Sequence, residues 1–280
     1  MQDATFEFSK LDSKLLSVGE LKKGKGMSAQ LMYDGQKCSF QLPKLSCPGG
    51  LLTRENEQSN SVTYSLIGSL KGCPADGKSV CEQADDIGKM YNSLQAISSA
   101  VKKWAFENSS KVFGKKRSEE SIADSFDERS IIQLSSDKVG DVWVPNGKYP
   151  PSFKAKIPVW DGKLQSDFQV VDQKVKQVPV TVANLAEVFP KGVSVMMLVN
   201  GTVYVSNQSF GVTWRIRMIQ VFPPNRLEAA KVFKVHEEEE QEEQEVEVPE
   251  QKDEEQHVEP NVGGGALPPQ RKRRAAVNPA

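Results

Sequence analysis

Two stretches of the chain hold residues whose types and spacing suit one chemistry. The first, WVPNGKYPPSFKAKIPVW (143–160), interleaves Tyr149, Phe153 and Trp160 with Lys154 and Lys156. The second, FGVTWRIRMIQVF (210–222), alternates, so that Trp214, Ile216 and Met218 point one way while Thr213, Arg215 and Arg217 point the other. Cations on a rigid sheet suit phosphates. Aromatic rings beside them suit bases, each worth about 1–3 kcal/mol when stacked. On this reading Lys154, Lys156, Arg215 and Arg217 are phosphate contacts and Tyr149, Phe153 and Trp160 are stacking candidates, while Trp214 faces inward. Lys102, Lys103, Lys115, Lys116 and Arg117 form a second line of cations, and the basic loop at 22–25 extends the track.

Other chemistries lack their residues. The two histidines, His236 and His257, lie in or beside an acidic run, so a histidine-based triad in the body is excluded. There is no phosphate-cradling GxxxxGK[ST] loop and no GxGxxG after a strand. Cys38, Cys47, Cys73 and Cys81 lack CxxC spacing and read as free packing thiols rather than metal ligands. No catalytic role, cofactor or metal is expected.

The elements that position these residues are mostly strands. Asn200-Gly201 reads as a two-residue turn between strands at 193–199 and 202–206, followed by a third strand at 210–222. Asp34-Gly35 reads as another hairpin turn, and 62–70 alternates as a strand. Further short strands are expected at 130–134, 168–172 and 178–182, and short helices at 183–189 and 226–235. The strongest helix signal runs over 85–106, where Ile87, Met90, Tyr91, Leu94, Ile97, Val101 and Trp104 make one apolar stripe. Ser118 reads as the cap of a short helix.

Charge divides the chain. Residues 1–235 carry a net +7, residues 236–260 a net −12 and residues 261–280 a net +4. A basic body followed by an acidic run hints at a polyanionic partner. The acidic segment cannot bury a core and is expected to be disordered. The basic cluster Arg271, Lys272, Arg273 and Arg274 reads as a candidate nuclear-import signal. The opening residues lack a signal-peptide layout and no apolar run approaches the ~18 residues needed to span a bilayer, so an intracellular protein without membrane attachment is expected.

The order of segments resembles the single-stranded-DNA-binding proteins of nucleo-cytoplasmic large DNA viruses. A turn-rich segment at 43–51 precedes SVTYSLIG; then come KKWAFENSSKVFGKKRSEE, YPPSFKAKIPV and the closing LVNGTVYVSNQSFGVTWRIRMIQV, a series covering 29–222. The resemblance implies a mainly β (α+β) fold, an OB-fold-like antiparallel β-barrel with a helical insertion around 85–128. It also implies sequence-independent binding of single-stranded DNA in viral genome replication, recombination or repair, within the host nucleus or a viral replication compartment. Residues 1–235 would form the binding domain and 236–280 an acidic tail that recruits replication proteins. The acidic segment departs from the tails of some related binders, which finish on an aromatic or acidic residue, in being followed by the basic cluster at 271–274. Two other readings stay open: an interaction or chaperone-like protein whose acidic tail binds basic partners, and a β-rich virion structural protein.

Overall fold

In the computed structural model the described residues are 4–24, 26–56, 61–140, 142–206 and 209–224. The chain divides into a compact unit, Met1–Arg226, and a second unit, Leu227–Ala280, which lies outside the described residues. The expected tail, the import cluster at 271–274, the helix at 226–235 and Lys25 of the basic loop therefore fall outside them.

Eight strands come first: β1 (Ala4–Glu7), β2 (Leu16–Val18), β3 (Lys22–Lys23), β4 (Met27–Tyr33), β5 (Gln36–Gln41), β6 (Leu45–Cys47), β7 (Leu51–Asn56) and β8 (Ser61–Ser69). An insertion of α1 (Asp86–Glu107), α2 (Ser109–Phe113) and α3 (Glu119–Ser125) follows. Next are a separate hairpin, β9 (Ser136–Val139) and β10 (Val142–Pro145), and the strands β11 (Ser152–Ile157), β12 (Val159–Trp160), β13 (Lys163–Leu164) and β14 (Gln169–Val171). A short α4 (Leu185–Val188) leads to β15 (Val193–Val205) and β16 (Phe210–Phe222).

The fold is mainly β with inserted helices, as expected. Its main sheet runs β1-β5-β4-β15-β16-β11-β8-β7. Among the described residues this path is open, ending at β1 and β7, and does not close into a full barrel. The sheet is also mixed rather than purely antiparallel, because β1–β5, β11–β16 and β14–β16 pair in parallel.

The core gathers on one face of this sheet. Phe8, Phe40, Phe153 and Trp214 are buried together, with ring centroids 5.3 Å apart for Phe8–Phe40, 5.4 Å for Phe153–Trp214 and 5.7 Å for Phe8–Trp214. Helix α1 packs its stripe of Met90, Tyr91, Leu94, Ile97, Val101 and Ala105 into the same core. Its start is fixed by Asp85, whose carboxylate accepts from Gly88 N–H at 2.8 Å, a cap worth about 1 kcal/mol. Ser118 caps α3 in the same way, accepting from Ser121 N–H at 3.3 Å. Asp34-Gly35 forms the expected tight turn, both residues having positive φ (50° and 67°).

Asn200-Gly201 does not turn. It sits within one 13-residue strand, β15. The pair has packing reasons instead. The Asn200 side chain is buried and accepts from Ser39 Oγ at 2.9 Å. At Gly201 a Cβ would stand 2.9 Å from the Trp214 ring and 3.1 Å from Leu31, so the glycine makes room for the tryptophan.

The register of β15 with β16 also shifts. Leu198 lies across from Met218 and Val199 across from Ile216, leaving Arg217 as the extra residue of a bulge. The inward set therefore runs Val212, Trp214, Ile216 and then Ile219, Val221. Met218, expected to face inward with Trp214, is exposed.

Two expected strands are absent. Segment 130–134 makes one bridge, Gln133 with Ser152, because Ser130 is committed to β16: its hydroxyl accepts from Val212 N–H and its carbonyl from Trp214 Nε1. Segment 178–182 is interrupted by Pro179, which has no N–H to give a ladder.

Candidate nucleic-acid interface

The face of the sheet opposite the core is cationic. In β11, Phe153, Ala155 and Ile157 go to the core, which leaves Lys154 and Lys156 on the other side. Lys156 lies across from Ser65 of β8 on one side and from Arg215 of β16 on the other; Lys154 lies across from Ile67. Arg54 of β7, across from Thr63 of β8, brings a further guanidinium to this face.

An open cleft of about 880 Å³ runs over this surface. Its bed is Leu52 and Arg54 of β7, Ile67 of β8, Lys154 and Lys156 of β11 and Thr213 of β16. The segment that returns from the helical insertion forms one wall. Asp127 N–H donates to the Phe210 carbonyl, and the Ser130 contacts with β16 hold the same segment down, so Arg129 arrives at the cleft. Trp143 of the β9–β10 hairpin stands at the rim, 55% exposed, with the Arg129 guanidinium 5.7 Å from its ring centroid.

The electrostatics are one-sided. Among the described residues Arg54, Arg129, Lys154, Lys156 and Arg215 enter no ion pair. The carboxylate lining the cleft, Asp127, accepts from Tyr204 Oη at 2.8 Å. Burial, and then that carboxylate, push the Tyr204 hydroxyl above its ordinary range. Lys154 is held below the usual lysine value by burial and then by Lys156, Arg54 and Arg129; Lys156 is lowered by burial and then by Arg215. Crowded cations of this kind create a positive potential that attracts anions.

The other expected contacts separate. Phe153 is buried against Phe8 and Trp214, so no base can stack on it, and it is withdrawn as a stacking candidate. Arg217 is turned by the bulge to Asp167, Nε to Oδ2 3.1 Å, away from the row of Arg215 and Lys156. Lys102 pairs with Glu128, and Arg117 packs over Phe113 at 3.9 Å and donates to Ser125 Oγ. Lys103 lines a different cavity, beside Phe106 and Glu119. Lys115 and Lys116 are exposed beyond α2 and line none of these cavities. Tyr149 and Trp160 are exposed, at 72% and 64%, but neither lines the cleft.

Residue-by-residue reading missed Arg54, Arg129 and Tyr204, and it noted Trp143 without assigning it a role. Trp143 carried a signal: a large aromatic between two valines and before a proline, in a hairpin of exposed residues. Arg129 carried none, because only the docking of its segment on β16 brings it to the cleft.

No family model and no curated protein matches this sequence. Among solved structures the chain is similar to the single-stranded DNA-binding protein from bacteriophage Enc34 in complex with ssDNA. That likeness has 12% identity and a TM-score of 0.39 and covers 75% of this chain and 97% of that one. It is also similar to gp2.5, a single-stranded DNA-binding protein encoded by bacteriophage T7, with 11% identity and a TM-score of 0.38, covering 72% and 97% of the two chains.

Proposed function

We propose that this protein is a non-catalytic, sequence-independent single-stranded DNA-binding protein that coats exposed strands during replication, recombination or repair. One observation carries the reading: Arg54, Arg129, Lys154 and Lys156 converge without acidic partners among the described residues on a cleft rimmed by Trp143. Phosphates neutralise the cations and a base stacks on the tryptophan. Neither contact reads sequence, because every nucleotide has both groups. The cleft lies on adjoining strands of one sheet and is open to solvent, which suits a flexible strand.

The order of motifs over 29–222 supports a place among the binders of nucleo-cytoplasmic large DNA viruses, with work in the host nucleus or a viral replication compartment. Residues 1–235 would serve as the binding domain. The acidic segment 236–260, with its net −12, is suited to compete for the cationic cleft and to engage replication proteins.

The test is a salt titration of fluorescent oligo-dT binding, full-length beside residues 1–235, with duplex as competitor. Salt-sensitive, single-strand-preferring binding by the shorter chain is expected, and it should be tighter than that of the full chain. Absence of binding by both would defeat the proposal, and pull-down of basic proteins by the acidic segment would then identify the tail as the active element.

A further inference from the structure

A second cleft, of about 650 Å³, meets the first at Trp143 and Arg129, which line both. Its floor is apolar: Ile131 and Ile132 are buried and Leu134 half-buried beside them. Helix α1 supplies one wall with Gln95, Ser98, Ser99 and Lys102, and the turn at 76–78 closes another side.

The two clefts differ in charge. The first presents cations without acidic partners. The second sets charges of both signs, Asp76 and Glu128 beside Lys78, Lys102 and Arg129, around an apolar floor, with Lys102 paired to Glu128. Asp76 is held well below the usual carboxylate range, at about 2, by the Ser79 hydroxyl and then by the backbone N–H groups of Lys78 and Ser79. It is therefore ionised throughout the neutral range. Glu128 accepts from Lys102 and, at 3.4 Å, from Ser98 Oγ. A phosphate entering this space would lie against apolar side chains, with Lys102 already held by Glu128. A nucleobase suits it better: it is neutral, its faces are apolar, and its edge carries N–H donors that a carboxylate or the Gln95 carbonyl can accept.

We infer that the second cleft is a nucleobase subsite: a strand lying with its phosphates on the cationic sheet turns bases past Trp143 onto the Ile131–Ile132–Leu134 floor. This rests on the proposed function and adds an orientation to it, phosphates on the sheet and bases under the hairpin. Trp143 stands between the two environments, where its ring can stack on a base leaving one for the other. Arg129 beside it can reach the phosphate of the same nucleotide. The subsite favours nucleotides that offer an N–H at the base edge, and it gives an abasic strand nothing to insert.

The experiment compares binding of oligo-dT with that of an abasic phosphodiester oligomer of equal length, using the full chain, Ser99→Trp and Ser110→Trp. Ser99 is exposed at the mouth of the second cleft; Ser110 is exposed on α2 and lines neither cleft. The unmodified protein should prefer oligo-dT, and Ser99→Trp should cut that preference by about 5- to 150-fold for each base displaced, with the salt slope unchanged. Ser110→Trp should keep the original preference. Ser136→Trp, on the hairpin side of the same cleft, gives the same reading if Ser99→Trp does not fold. An equal preference in Ser99→Trp and the unmodified protein overturns the subsite, as does a fall in salt slope, which would mean that phosphate had occupied the cleft. Failure of the unmodified protein to bind either oligomer defeats the single-strand reading itself.

Discussion

The two halves of β16 carry the same alternating text and meet different fates. Before the bulge, Trp214 goes to the core and Arg215 joins the cationic face across from Lys156. After it, Met218 is turned outward and Arg217 is held by Asp167. A single extra residue in one strand reverses the side on which each later residue lies. Two arginines two positions apart on one strand thus differ in availability, Arg215 beside Lys156 and Arg217 held by Asp167. Availability depends on which face the strand presents there and on what stands opposite.

The largest effects that test this comparison are on stability. Trp214→Ala removes a buried ring at the centre of the aromatic cluster and should cost about 3–5 kcal/mol in urea unfolding. Met218→Ala, beyond the bulge, should stay within about 0.5 kcal/mol. Similar losses for both would mean that the phase does not reset. Next comes Gly201→Ala, whose Cβ would crowd Trp214 and Leu31; overpacking of this kind should cost about 1–3 kcal/mol by the same assay. A neutral result would restore the reading of Asn200-Gly201 as an open turn.

Effects on binding are smaller and follow the charges. Replacing Lys154 and Lys156 together by alanine should lower the salt slope of oligo-dT binding by about 1.4, at about 0.7 per phosphate contact on single strands. Arg215→Ala should lower it by about 0.7, whereas Arg217→Ala should leave it unchanged. Equal changes from the two arginines would erase the distinction between the halves of the strand.

The smallest expected effect is on protons. Burial and neighbouring cations lower Lys154 and Lys156 from 10.5, so the fold disfavours their charged forms relative to the unfolded chain. Their contribution to stability should therefore rise as pH climbs through the lowered values toward 10.5. Bound phosphate favours the charged forms, so binding at alkaline pH should take up protons. Calorimetry in buffers of different ionisation heat reads that uptake, and its absence would place phosphate away from these lysines.

Much of this was legible in the sequence because it depends on local periodicity. The stripe over 85–106 became α1, Ser118 capped α3, Asp34-Gly35 turned, and Phe153, Ala155 and Ile157 went inward while Lys154 and Lys156 went outward. Each follows from a 3.6- or 2-residue period or from a residue's own backbone preference.

Only the tertiary structure decided the rest. Asn200-Gly201 favours a turn locally, but a glycine that admits Trp214 and an asparagine bonded to Ser39 are worth more in the folded sheet. The same holds for Arg217, which a bulge and Asp167 remove from the row, and for Phe153, whose ring the alternation itself sends to the core. Arg54 and Arg129 stand far apart in sequence and meet only because β7 is the last strand of the path and the segment after α3 docks on β16. Sequence thus determined which residues are able to face outward as cations. Strand order, register and docking, which depend on contacts between distant segments, decided which of them share one cleft.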